Sequence, residues 1–175
     1  MMRDALLLMT GFLLVALEAA IGSLTGLGEL MPNAVLPIVI YLGMAPDMSL
    51  ARAATLSFVL GMMVDSAVGS AVGLLTFVHV GTLVAARAAG VRLIMRGRVS
   101  QVLIAALAAL IGAVIVIALR SIFKPEDHFG MVSIRHLVVA VLAPSLATGA
   151  IAPFVFQLAR RIDTLRRRDD ATSTA

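Results

Sequence analysis

Two stretches of the chain, residues 99–119 and 137–159, carry no Asp, Glu, Lys or Arg at all. Each is long enough to cross the hydrocarbon core of a bilayer, which takes roughly 20 apolar residues in a helix. Backbone polar groups have no water to bond in that layer, so each stretch must satisfy them internally as a helix. The rest of the composition agrees. Hydrophobic residues make up 61% of the 175-residue chain and charged residues 14%, against roughly 25% charged in soluble domains. The fold class is therefore an all-α integral membrane protein.

Four further segments complete the reading. Residues 5–22 form a first span broken only by Glu18. Residues 32–45 and 49–68 read as two shorter helices, because Pro46 disfavours continuation and Asp47 or Ser49 can cap the next helix. Residues 66–86 are uncharged but open on small, turn-like residues, which places the helix start near Ala71. The expectation is a compact bundle of six transmembrane helices forming one domain over residues 1–165. A disordered polar tail follows over 166–175. Pro144 and Pro153 are expected to kink or interrupt the last helix. In the fifth, Ala105, Ala108, Ala109, Gly112 and Ala113 make a smooth strip for close packing against another span or a partner.

Charge placement sets the topology. With the N-terminus inside, Arg3, Arg52, Arg87, Arg92, Arg96, Arg98, Arg160, Arg161, Arg166, Arg167 and Arg168 fall on the cytoplasmic side, and only Arg120, Lys124 and Arg135 fall outside. Both termini are then cytoplasmic. The net charge of +4 arises from these clusters, which speak to orientation and anionic headgroups, or to an acidic partner, rather than to nucleic acid. A cleaved signal peptide is the competing reading of the first segment, opposed by Asp4 and Glu18 and by the lack of a clear A-x-A site. No cysteine is present, so there is neither a disulfide framework nor a thiol nucleophile.

The residues that stand out are polar groups in apolar company. Gly61, Asp65 and Gly69 recur at intervals of four and share one helix face, with Gly73 following. An intramembrane carboxylate is costly unless it faces a partner, a cavity or the interface. Asp65 either caps backbone N–H groups of the "SAVGSAVG" turn into the fourth span, or holds a subunit contact or a cation; the two are compatible. Glu18 either sits at the periplasmic interface or pairs inside the bundle or with a partner helix. His79 reads as a hydrogen-bonded bundle residue rather than a relay. The "EDH" sequence at 126–128 is the nearest approach to metal-ligand spacing and falls short of a site, as do His128 and His136. Ser57, Ser66 and Ser70 lie among Gly and Ala with no base or second catalytic aspartate at hand, so no enzyme is expected.

The Gly61-x-x-x-Asp65-x-x-x-Gly69-x-x-x-Gly73 pattern, with "PNAVLPIVIYL" at 32–42, resembles the core signature of the MreD family of bacterial rod shape-determining membrane proteins. Chain length, span count and arginine-rich loop agree over residues 5–165. Asn33 stands where the family often has Asp, and Ala71 where it often has Pro. The resemblance implies an inner-membrane scaffold of cell elongation without cofactor or active site. Its partners would be MreC, RodA with a penicillin-binding transpeptidase, and MreB, possible as an indirect one. It also implies a bundle similar to the substrate-binding subunits of energy-coupling-factor transporters, and with it the alternative function of a small, vitamin-like solute binder. Fold alone does not decide between them. The few polar groups expected at membrane depth (Glu18, Thr55, Asp65, Thr76, His79, Gln157) favour the scaffold.

Overall fold

The computed structural model describes the backbone of residues 2–26, 31–69, 73–89, 97–123 and 134–172, with side chains throughout except at 2, 123, 134–137 and 165–172. It contains α1 (Met2–Thr25), α2 (Val35–Met44), α3 (Leu50–Val68), α4 (Leu74–Ala88), α5 (Arg98–Phe123) and α6 (Ile134–Thr172). Four of them, α1, α3, α5 and α6, are long and apolar enough to cross a membrane. The other two are shorter than a span. At 1.5 Å per residue α2 is about 15 Å long and α4 about 22 Å, against a core about 30 Å thick. Where six transmembrane helices are expected, the structure has four helices long and apolar enough to span and two shorter apolar ones.

The shortest helix is the centre of the bundle. Val35, Leu36, Pro37, Ile38, Val39, Ile40, Leu42 and Gly43 are all buried, as expected for a helix apolar on every face, and α2 packs against each of the other five helices. Its residues divide between two clusters. Val35, Ile38, Val39 and Leu42 meet Leu7 and Val15 of α1, Leu56, Leu60 and Val64 of α3, Leu83 of α4 and Val155 of α6. Leu36 and Ile40 face Ala86, Ala105, Ala152 and Phe156. The alternation follows the helical period, so one ten-residue segment joins both halves of the core.

Lipid gives no hydrophobic drive for helix association, so contacts form where small residues let backbones approach. A Cβ on Gly149 of α6 would stand 2.8 Å from Ala106 Cβ and 2.9 Å from the Val102 carbonyl of α5. One on Gly43 would stand 2.8 Å from the Leu83 carbonyl. The small strip of α5 is used within the chain: Ala105 is buried with Phe156, Ala108 and Ala109 pack on that cluster, and Gly112 meets Val78. The opposite face of α5, with Leu103, Leu107, Ile111 and Val114, is exposed.

Boundaries differ from expectation in two places. α6 continues through Pro144 and Pro153 without interruption, and it runs to Thr172, over most of the segment expected to be a disordered tail. Neighbouring helices relieve the loss of a backbone donor at an intramembrane proline. Separately, Ser145 and Thr148 bond back along the helix to the carbonyls of Val141 and Pro144, both at 2.7 Å. The fourth helix starts at Leu74 rather than near residue 71, because Gly73 takes φ +94° and the chain turns there. Residues 70–72, with Ser70 and Ala71, lie outside the described residues, as do Arg92, Arg96, Lys124 and the "EDH" sequence. The side chains of Arg135, His136, Arg166, Arg167 and Arg168 do so too.

Candidate functional site

A helix that begins inside an apolar layer presents up to four N–H groups without intrahelical partners. Both short helices have their first N–H groups met by acidic side chains of the preceding long helix. What meets those donors defines the polar centre of the protein.

For α4 the acceptor is Asp65, only 2% exposed. Its Oδ2 accepts from Gly73 N (3.0 Å), Thr76 N (3.0 Å) and Thr76 Oγ1 (2.6 Å), and Oδ1 accepts from Leu75 N (2.9 Å). One carboxylate on α3 therefore takes three backbone N–H groups at the start of α4, where its negative charge also favours the positive end of the helix dipole. Gly61, one turn earlier, brings the helices close enough: its Cβ would stand 2.5 Å from Thr76 Cα. The other two glycines of the pattern act differently. Gly69 at φ +65° and Gly73 at φ +94° have open space around them, so left-handed backbone, rather than close helix approach, is what calls for glycine there.

For α2 the acceptor is Glu18, which reaches across from α1 to take the Ala34 N–H at 2.6 Å. Glu18 thus bonds inside the bundle, to the segment that opens α2. Asn33 Oδ1 accepts from Leu36 N at 3.1 Å, and Pro37 has no N–H to satisfy. Asn33 N in turn donates to Thr148 Oγ1 of α6 at 2.9 Å.

His79, fully buried on α4, links the two helix starts. Its Nδ1 lies 2.6 Å from the Leu75 carbonyl and its Nε2 3.3 Å from Asn33 Nδ2. A carbonyl only accepts, so Nδ1 carries the proton and Nε2 accepts from the Asn33 amide. That leaves Asn33 Oδ1 for Leu36 N. The connected set runs Asp65, Leu75, His79, Asn33, Thr148, and draws α2, α3, α4 and α6 together. Asn33 and Thr148 were not singled out from the sequence as site residues. The signal for Asn33 was its place three residues before Leu36 at the head of an apolar run, a capping position; for Thr148 no sequence signal separates it from other helical threonines.

A second polar group lies at the arginine-rich end. Arg3 Nε is 2.6 Å from Asp163 Oδ1, with side chains 5% and 26% exposed, and the Tyr41 hydroxyl also bonds Asp163. Arg52 Nε donates to Asp4 at 2.8 Å, and Arg87 donates to the Met48 carbonyl at 2.9 Å. Arg3, Arg52 and Arg87 so gather at one end of the bundle. Among the described residues no three His, Asp or Glu side chains are placed to hold a metal ion. An open, largely apolar cleft lies between α1 and α3, lined by Phe12, Val15, Ala16, Ala19, Val59 and Met63 among others.

Comparison with curated proteins and with solved structures gives no match. A family model described as "rod shape-determining protein MreD" matches residues 2–162, nearly the whole chain. That span includes both capped helix starts and Arg3, Arg52 and Arg87, and this membrane-embedded chain belongs to the MreD family of rod shape-determining proteins.

Proposed function

We propose that the chain is a non-enzymatic scaffold subunit of the bacterial cell-elongation complex. It sits in the inner membrane with both termini cytoplasmic, and it links MreC and the RodA–transpeptidase pair to MreB, the last indirectly. Membership of a shape-determining family supports the process. The observation that carries the scaffold reading is the occupancy of the two buried helix starts. In transporters with broken helices, such N-termini face the substrate. Here Glu18 and Asp65 already fill them, so the bundle uses its intramembrane acids on itself.

The alternative, a vitamin-like solute subunit with a bundle similar to those of energy-coupling-factor transporters, needs convergent polar groups facing a cavity. The cleft between α1 and α3 is apolar and open on its outer side, which suits lipid or a helix better than a vitamin. Affinity purification from native membranes in mild detergent, with mass spectrometry of proteins and small molecules, tests the choice. Recovery of MreC with RodA and its transpeptidase is the expected result. Recovery of ATPase subunits with a bound small solute would overturn it.

A further inference from the structure

The two helix-start caps differ in strength, and the difference falls on α1. Asp65 is buried and accepts four bonds. Glu18 is half-buried, and its bond to α2 is the single one from Ala34 N.

Along α1 the attachments are uneven. Its first turn is held by two ion pairs, Arg3 with Asp163 of α6 and Asp4 with Arg52 of α3. Two turns on, Gly11 lies flat against Leu60, with no room for a Cβ. Past Gly11, Val15 is the only buried residue of the helix, with Leu14 partly buried against the same core. Phe12, Leu13 and Leu17 are exposed, and the space between α1 and α3 opens into the apolar cleft lined by Phe12, Ala16 and Ala19 on one side and Val59, Met63 and Ala67 on the other. Among residues 12–24, the side-chain bond that leaves the helix is that of Glu18.

We infer that α1 beyond Gly11 is a lever, anchored at the arginine-rich end, bearing on Leu60 at Gly11, and latched to the start of α2 by Glu18. Releasing the latch widens the cleft between α1 and α3 while the anchored end stays in place. The latch is also a cap, so its opening leaves the Ala34 N–H unpaired and loosens the start of the central helix. Movement of α1 is thereby coupled to the element that touches every other helix. The inference concerns this chain by itself and stands apart from the identity of any partner.

The chain has no cysteine, so introduced thiols report without background. Two spin-labelled pairs in the full-length protein in nanodiscs read the lever by electron–electron resonance distances. Ala19→Cys with Ala67→Cys spans the cleft mouth, and Ala5→Cys with Ala51→Cys spans the anchored end; all four alanines are exposed. With the native Glu18, the cleft pair should give a broader distribution than the anchored pair. Glu18→Ala should lengthen and broaden the cleft distances and leave the anchored pair unchanged. Glu18→Gln, whose amide oxygen can still accept from Ala34 N, should stay close to the native distribution. Equal widths in the native protein overturn the inference even if Glu18→Ala fails to fold. So does a cleft distance unmoved by Glu18→Ala, a parallel shift of both pairs, or opening by Glu18→Gln as large as by Glu18→Ala.

Discussion

Replacing Asp65 is the sharpest perturbation the structure offers. Asp65→Ala removes the acceptor of three backbone donors, Gly73, Leu75 and Thr76, and of the Thr76 hydroxyl. A buried donor left unsatisfied costs about 1–3 kcal/mol, so three backbone donors alone amount to about 3–9 kcal/mol. The hydroxyl can turn to a nearby carbonyl, and the first turn of α4 can fray, which together bring the expected loss to about 4 kcal/mol. That is a large part of the roughly 5–15 kcal/mol that holds a typical domain. Asp65→Asn is the graded control. Its one oxygen can keep the Gly73 and Thr76 bonds that now converge on Oδ2, while its NH2 would face the Leu75 N–H, for an expected loss of about 1–3 kcal/mol. Reversible unfolding of the full chain in mixed micelles by SDS, followed by far-ultraviolet circular dichroism, measures both. A loss of less than about 1 kcal/mol for Asp65→Ala on that scale, or Asn as damaging as Ala, would refute the capping argument. In a strain carrying only Asp65→Ala, the protein level should fall and the cells should lose their normal shape.

Other perturbations separate close packing from backbone conformation and test the remaining polar ties. Gly149→Ala places a methyl against the Val102 carbonyl and Ala106 of α5 and should destabilise by about 1–3 kcal/mol by overpacking; Gly81→Ala, with nothing within 4 Å, should stabilise by about 0.5–1 kcal/mol through helix propensity. The same SDS titration reads both, and equal effects would sink the distinction. Asn33→Ala leaves His79 Nε2 without its donor and Leu36 N with only its longer backbone contact to the Asn33 carbonyl, for an expected loss of about 1–3 kcal/mol. A double-mutant cycle on Arg3→Ala and Asp163→Ala should return a coupling of about 1–3 kcal/mol; a value near zero would mean that the pair does not tie α1 to α6.

Much of the architecture was legible because membrane constraints act on runs of residues. The uncharged segments at 99–119 and 137–159 demanded helices, and the intervals of four from Gly61 to Asp65 placed both on the face that α4 now covers. What periodicity could not supply was depth. Residues 32–45 are apolar enough for a span, and only the three-dimensional arrangement shows α2 starting at Val35, with Asn33 and Ala34 already held by Thr148 and Glu18 from distant parts of the chain. Pairings between residues 3 and 163 or 33 and 148 leave no local trace, since each partner alone looks like an interface arginine or a helical threonine. Gly69 and Gly73 sit in the turn between α3 and α4 with positive φ, and spacing alone cannot tell a glycine chosen for contact from one chosen for φ.

The order in which the pieces leave the ribosome gives the short helices a further meaning. A ten-residue segment is too short to be recognised as a span during insertion, so α2 has to enter the membrane leaning on a neighbour already there. In both long–short pairs the capping acid is made first: Glu18 precedes Ala34 by 16 residues, and Asp65 precedes Gly73 by 8. Each long helix thus arrives carrying the acceptor that its successor needs, and biogenesis can proceed pair by pair, α1 receiving α2 and α3 receiving α4.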